Sequence, residues 1–408
     1  MNASTVFRPA DILLPDLSRI DGTRWATVAC DQYTSQPEYW AQLRAEIGDA
    51  PSTLRLMLPE TDLGQSDRLI PQIHRDMETA LEHWLVPCPD AMILLERTQA
   101  DGRVRRGIIG AVDLEAYDYR AGATSPIRAT EGTVLERIPP RVRIRRGAPL
   151  EMPHVMLLYD DPEKTVTDPL LPLRPALPRL YDFDLTGNGG HVRGYLLGRA
   201  EQSRLTAALG ALCRGQGDTP LLFAVGDGNH SLASAKAAYE EIKTSLGDAA
   251  LSHPARYALA EIVNLHDPAL DFEPIYRVVF DVDPDALIAD FSGYASASDG
   301  SAAPQEFWVI TASGERKIPV PHPRFRLPVA TLQSFLDSHP GLTVDYIHGE
   351  DALRSLASRP GAVGFLFPGM DKSALFPAVR ADGALPRKTF SMGHAHDKRF
   401  YLECRRIR

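Results

Sequence analysis

Two spacings of apolar residues run through the chain and divide it into helices and strands. Residues 70–85 place Ile70, Ile73, Met77, Ala80, Leu81 and Trp84 three or four apart, the signature of one helix face, and residues 39–47 read as a helix as well. A-M-I-L-L-E-R, R-R-G-I-I-G-A-V-D-L, V-R-I-R-R and H-V-M-L-L-Y-D are shorter runs that predict successive strands. T-R-W-A-T-V-A-C-D-Q-Y reads as a short strand ending in polar residues. Residues 258–265, 276–282 and 363–367 add further strands, residues 307–320 a hairpin turning at Ala312-Ser313-Gly314, and residues 351–357 a short helix. Strands and helices in this order predict a mixed α/β (α+β) fold with antiparallel pairs.

The sharpest transition lies in P-L-L-F-A-V-G-D-G-N-H-S-L-A-S-A-K, residues 220–236. An apolar run from Leu221 to Val225 stops at Gly226. A helical stripe then follows at Leu232, Ala235, Tyr239, Ile242 and Leu246, with Lys236, Glu240 and Lys243 off it and Asn229 or Ser231 as the expected N-cap. The loop between holds Asp227, Asn229, His230 and Ser231, while Gly226 and Gly228 permit positive φ and close backbone approach. A strand, a glycine turn and a helix start together offer backbone N–H groups to an anion. His230 can donate to an anionic oxygen, and Asp227 can hold Mg²⁺ or take a proton. Read alone, the loop fits either a phosphate cradle or a tight turn with an Asx cap.

Two other stretches carry chemistry. S-P-I-R-A-T-E-G-T brings Arg128, Thr130 and Glu131 together, a set in which the arginine holds phosphate and Glu131 removes a hydroxyl proton. The basic run behind it (Arg141, Arg143, Arg145, Arg146) reads as an exposed strand pairing with surface carboxylates. L-P-R-K-T-F-S-M-G-H-A-H-D-K-R-F offers Lys388 as a phosphate contact and places Ser391 near His394, His396 and Asp397. Its H-x-H lacks further spaced metal ligands. Asp31-Gln32-Tyr33, Asn264 with His266 and Asp267, Arg277, His348 and the loop T-G-N-G-G-H (residues 186–191) are smaller candidates, each read first as structural.

Composition narrows the class. The 408 residues are 44% hydrophobic and 24% charged, which is ordinary for a globular protein, and long enough for two domains. A proline-rich stretch at 166–180 is the expected connection between an N-terminal part, 1–165, carrying Glu131, and a second part, 181–408, carrying the D-G-N-H loop. A net charge of −9 disfavours nucleic acid as the main partner. No secretory signal or membrane-length apolar run is evident, so a cytoplasmic location with no membrane partner is expected. Cys30, Cys88, Cys213 and Cys404 form no C-x-x-C pair, consistent with reduced thiols and no zinc site. Walker A, H-E-x-x-H, G-x-S-x-G and protein-kinase motifs are absent from the sequence.

Five patches in order, A-C-D-Q-Y, R-A-T-E-G-T, G-D-G-N-H-S-L-A, E-I-V-N-L-H-D-P-x-L with P-I-Y-R, and L-P-R-K-T-F-S, resemble an uncharacterised prokaryotic family, domain of unknown function 1015. Many members write the central loop D-G-H-H-R, so Asn229 and Ser231 depart from that pattern and an arginine contact is missing here. The loop is also similar to one in the ParB/sulfiredoxin superfamily, which includes nucleotide-dependent kinases of free serine. That resemblance implies a ParB/sulfiredoxin-like mixed sheet with flanking helices plus additional α/β elements. It also implies a nucleotide-phosphate loop at Asp227, Gly228 and His230; Glu131 as base is a chemical inference. The expectation is a phosphotransferase using ATP or ADP with Mg²⁺ on a small hydroxylated substrate, such as free serine. Its competitors are a non-catalytic nucleotide-binding regulator and thiol chemistry through Cys30.

Overall fold

A computed structural model describes residues 5–30, 33, 36–120, 122–152, 154–393 and 395–408. The fold is mixed α/β and divides into two compact units. Unit 1 comprises residues 1–129, 133–270 and 394–408, and unit 2 comprises residues 130–132 and 271–393. The proline-rich stretch 166–180 therefore falls inside unit 1, mostly as a 3₁₀ run at Asp168–Ala176. Among the described residues no helix is long and apolar enough to cross a membrane.

Unit 1 is built on a ten-stranded mixed sheet. Nine strands form its main path: β1 (Ile93–Thr98), β2 (Val104–Asp113), β3 (Tyr117–Asp118), β4 (Ile127–Ala129), β5 (Met156–Tyr159), β6 (Arg179–Asp184), β7 (His191–Leu196), β8 (Phe223–Asp227) and β9 (Tyr257–Asn264). Their order is β6-β7-β1-β2-β9-β5-β8-β4-β3, and Phe7–Arg8 pairs with β2 off that path. The β5–β9, β8–β4 and β4–β3 pairs are parallel, and the remaining pairs are antiparallel. Period-two alternation sends successive residues to opposite faces, so the sheet lies between two cores. Ile93, Leu95 and Ile109 enter one core, while Leu94, Ile108 and Val112 enter the other.

The V-R-I-R-R strand expectation is corrected: this segment is helix α1, Ile138–Arg145. Pro139 and Pro140 sit in its first turn, where a fixed φ suits the helix and the missing N–H costs nothing. Three of its arginines do pair with carboxylates. Arg143 lies 3.2 Å from Asp67, Arg146 lies 2.8 Å from Glu241, and Arg145 reaches the buried Glu151 at 2.6 Å.

A buried ionic network fastens the C-terminal segment to this sheet. The Glu261 carboxylate on β9 lies 2.9 Å from Arg399 Nε and 3.4 Å from Arg105 Nε, all three side chains at 2% exposure or less. Both Nε contacts are at ion-pair distance but fall outside hydrogen-bond geometry. Arg399 also donates to Glu403 at 2.5 Å, and the Tyr181 hydroxyl donates to the other Glu403 oxygen. Nearby, Cys404–Arg406 enters a four-stranded sheet with Ala10–Pro15 and Leu150–Glu151.

Unit 2 has its own antiparallel sheet: β10 (Phe272–Phe280), β11 (Gln305–Thr311), β12 (Gly314–Val320), β13 (Thr343–His348) and β14 (Val363–Leu366), in the order β12-β11-β14-β10-β13. The hairpin expected over residues 307–320 is β11–β12. A short strand β15 (Phe390–Met392) pairs with the start of β10, and Phe272 and Phe390 stack there.

Two of the buried carboxylates carry stability predictions. A Cβ at Gly107 would collide with the Glu261 carboxylate, so Gly107→Ala is expected to lose about 1–3 kcal/mol of unfolding free energy in urea titration. Burial raises the Glu151 carboxyl, but Arg405 and Arg145 pull it net below its ordinary 4.5. A depressed folded value adds stability that is present above the unfolded value and lost as pH falls through the folded one. Glu151→Gln should therefore start less stable and show a shallower loss of stability between about pH 5 and pH 3 than the parent.

Candidate functional site

The D-G-N-H turn is made by a bulge followed by a left-handed glycine. Met156 pairs with Asp227 and Leu157 with Val225, which leaves Gly226 as the extra residue on β8. Such a bulge re-aims the side chains at the strand's end. Gly228 then takes φ 82° and ψ 28° and is the N-cap of helix α2, Asn229–Leu246. This replaces the expected Asn229 or Ser231 cap; both lie inside the first turn. A glycine cap has no side chain to satisfy the first-turn amides, and positive φ suits glycine best. Leu232, Ala235 and Tyr239 bury the helix as the stripe predicts, whereas Leu246 is exposed.

Asp227 is held from two sides. One oxygen accepts from the Gly228 N–H at 2.9 Å, and the other lies 3.7 Å from Lys398 Nζ. His230 Nε2 accepts from the Val134 N–H at 3.3 Å. That bond makes Nε2 the bare nitrogen of a neutral imidazole and puts the ring's donor capacity at Nδ1. Asn229 Oδ1 is buried and has no hydrogen-bond partner. The turn thus joins a carboxylate–ammonium pair to a helix start with no side-chain cap and to an unsatisfied amide oxygen.

Lys398 arrives from the far end of the sequence because Arg97 fixes the main chain around it. The wholly buried Arg97 guanidinium donates to the carbonyls of His396 and Lys398 and, at 2.6 and 3.0 Å, to that of Gly189. Three residues further on, the Tyr401 hydroxyl meets His154 Nδ1 at 2.5 Å. Burial first, then the charges of Asp227 and Cys30, push the Tyr401 phenol above its ordinary value. Lys398, Tyr401 and His154 were not singled out in the sequence. Lys398 stands inside the quoted C-terminal patch, but nothing in its spacing marks it as the partner of Asp227.

The remaining candidates are distributed between the units. Arg128, on β4 in unit 1, gives its guanidinium to the carbonyls of Ser125, Thr124 and Thr219 at 2.8–3.1 Å. Glu131 belongs to unit 2, where it forms a parallel bridge to Leu385. Lys388 is also in unit 2, exposed and at φ 55°, with its Nζ 5.4 Å from the centre of the Tyr346 ring. Arg277 in that unit is wholly buried, and burial lowers its guanidinium to about 10 against the opposing pull of Tyr346 and Glu131. Asn264, His266 and Asp267 serve a turn: Asn264 donates to the Asp161 carbonyl, His266 meets Asp160 at 2.8 Å, and Asp267 accepts from the Ala269 and Arg106 N–H groups. T-G-N-G-G-H is the β6–β7 turn, with Gly187, Asn188 and Gly190 at positive φ. Asp31, Gln32 and His394 lie outside the described residues.

The family resemblance is shown: the chain belongs to the family described as Protein of unknown function (DUF1015), whose profile matches residues 15–339. No curated protein matches the chain. Among solved structures, a conserved hypothetical protein from Pyrococcus furiosus is similar over 69% of this chain and 89% of its own, at 11% identity and a TM-score of 0.33. A free serine kinase mutant in complex with ADP is similar over 74% and 92%, at 9% identity and a TM-score of 0.38. SbnI from Staphylococcus aureus, truncated at its C-terminus, is similar over 70% and 82%, at 8% identity and a TM-score of 0.36. Scores at this level do not carry a site from one chain to another.

A Cβ at position 228 would stand 3.1 Å from Val155 Cα in addition to needing positive φ. Gly228→Ala is expected to cost about 1–2 kcal/mol, read as a lower urea midpoint at unchanged m value.

Proposed function

We propose that the protein is a nucleotide-dependent phosphotransferase that moves a phosphoryl group from ATP or ADP to the hydroxyl of a small metabolite, in the cytoplasm. The observation that carries this reading is the Asp227–Gly228 turn: a left-handed glycine caps an 18-residue helix, with Lys398 beside the turn's carboxylate. Phosphoryl transfer asks chiefly for positioning and charge stabilisation, which such a turn can supply without a covalent nucleophile.

In this reading the first-turn amides of Asn229, His230 and Ser231 take phosphate oxygens, and Gly226 and Gly228 let the backbone come close to them. His230 adds a donor from Nδ1, and Lys398 adds positive charge. Among the described residues no three His, Cys, Asp or Glu side chains gather into a metal cage. Mg²⁺ commonly binds through one or two carboxylates together with substrate phosphates and water. The single Asp227 carboxylate fits such an ion entering with the nucleotide; the ion would offset phosphate charge. Arg128 shapes the end of β4 through its three carbonyls. Glu131 is assigned, on the chemistry of its residue type alone, as the proton acceptor for the hydroxyl.

Full-length protein given ATP or ADP, Mg²⁺ and a panel of hydroxy amino acids should phosphorylate at least one of them. Glu131→Gln should lower turnover by about 10²–10⁴-fold and leave nucleotide affinity unchanged, while Asp227→Asn and Lys398→Met should weaken nucleotide binding measured by calorimetry. Nucleotide binding without any transfer would remove the enzyme reading in favour of a binding regulator. A well-folded variant with all four cysteines replaced by serine should keep its activity; loss would point to thiol chemistry.

A further inference from the structure

Among the described residues, unit 2 gathers three cations around one ring without a carboxylate at ion-pair distance from two of them. The Cζ atoms of Arg277 and Arg387 and the Nζ of Lys388 stand 4.8, 5.6 and 5.4 Å from the centre of the Tyr346 ring. Tyr346 and Arg277 are direct cross-strand partners on β13 and β10. Among the described residues of this unit, Lys317, Arg324 and Arg354 form ion pairs. Among the described residues neither Arg387 nor Lys388 has a carboxylate at ion-pair distance.

The grouping is built, not incidental. Buried Arg277 donates to the carbonyls of Arg387 (3.2 Å) and Lys388 (2.9 Å), and to Gln333 Oε1, so one guanidinium fixes the main chain of both neighbours. Lys388 is kept at φ 55°, a conformation that a lysine seldom takes. Arg387 Nε also donates to the Tyr346 hydroxyl at 3.3 Å. Like charges repel, and a ring face offsets only part of that repulsion. An anion resting on Arg387 and Lys388 would relieve it.

We propose that Arg387 and Lys388, seated on Tyr346 by Arg277, bind the carboxylate of the acceptor, so that the substrate class is a small hydroxy acid. The assignment rests on the reading of Glu131 as the base. Glu131 bridges to Leu385, and the Leu385 N–H donates to the Thr130 carbonyl at 2.7 Å, which places the base's backbone two residues from Arg387 in the same unit. A carboxylate held at one end leaves the hydroxyl end for Glu131. Lys388 then serves the acceptor and not the nucleotide phosphates.

The test is calorimetric titration of the full-length protein, with and without ADP and Mg²⁺. The probes are L-serine, sodium glycerate and lactate, with ethanolamine and glycerol as partners that lack the carboxylate, and inorganic phosphate. At least one hydroxy acid should bind, its carboxylate-free partner should bind at least tenfold more weakly, and the exposed double variant Arg387→Met/Lys388→Met should lose that preference at unchanged Tm. Lys388→Arg should restore most of it. The proposal is overturned if no hydroxy acid binds, if the carboxylate-free partner binds equally, if inorganic phosphate binds more tightly than every acid and the double variant abolishes that phosphate binding, or if the double variant keeps the preference. Carboxylate-selective binding that the double variant abolishes, in protein that transfers no phosphate, would retain this site and remove only the phosphotransferase reading. Transfer to ethanolamine as efficient as to serine would do the reverse.

Discussion

Unit 1 depends on the buried carboxylate of Glu261. An isolated charge at that depth would cost many kcal/mol, and it is tolerated because Arg105 and Arg399 stand against it. The absence of a side chain at Gly107 leaves room for the carboxylate on the neighbouring strand. Arg399 passes the charge on to Glu403, which accepts from Tyr181. A network of this kind is a poor source of net stability compared with apolar packing, yet removing one member strands the others. Its effect is to tie residues near the end of the chain to the centre of the sheet. Glu261 opens one of the family-like patches, and its role there is architectural.

The same physics sets the candidate site. Arg97 spends its donors on the carbonyls of Gly189, His396 and Lys398, which pins the backbone on either side of Asp397. Lys398 is thereby held beside Asp227 with little solvent around it, at 12% side-chain exposure. A short surface lysine–aspartate pair contributes little. One whose backbone is fixed by a buried guanidinium has given up much of its freedom before any ligand arrives, which lowers the ordering cost of binding.

Much of the fold was legible because strands and helices differ in period. The runs at 93–98 and 104–113 alternate between two cores, and the helix after Gly228 buries residues three and four apart. Residues 142–146 misled because valine and isoleucine alternating with arginines resemble an edge strand, while the fixed φ of Pro139 and Pro140 at a helix start carried the outcome. The division into units was not legible. It depends on residues 130–132 pairing with Leu385 and on 394–408 returning to unit 1, and neither leaves a local compositional mark. At the site, the glycine turn was visible from residue types alone. Lys398 was not, since its position is set by an arginine about three hundred residues earlier.

The interleaved chain also has a temporal side. Ala10–Pro15 is made well before the strand that joins it, Cys404–Arg406. All of unit 2 beyond residue 270 is translated in between. A closure across so many residues carries a loop-entropy cost that grows only slowly with length, so it is no obstacle at equilibrium. During translation at about 5–20 residues per second, however, unit 1 waits roughly ten to thirty seconds with Glu261 made and Arg399 not yet present. In that interval a nascent carboxylate can keep its water, and the sheet acquires its charged centre only once Arg399 has been made.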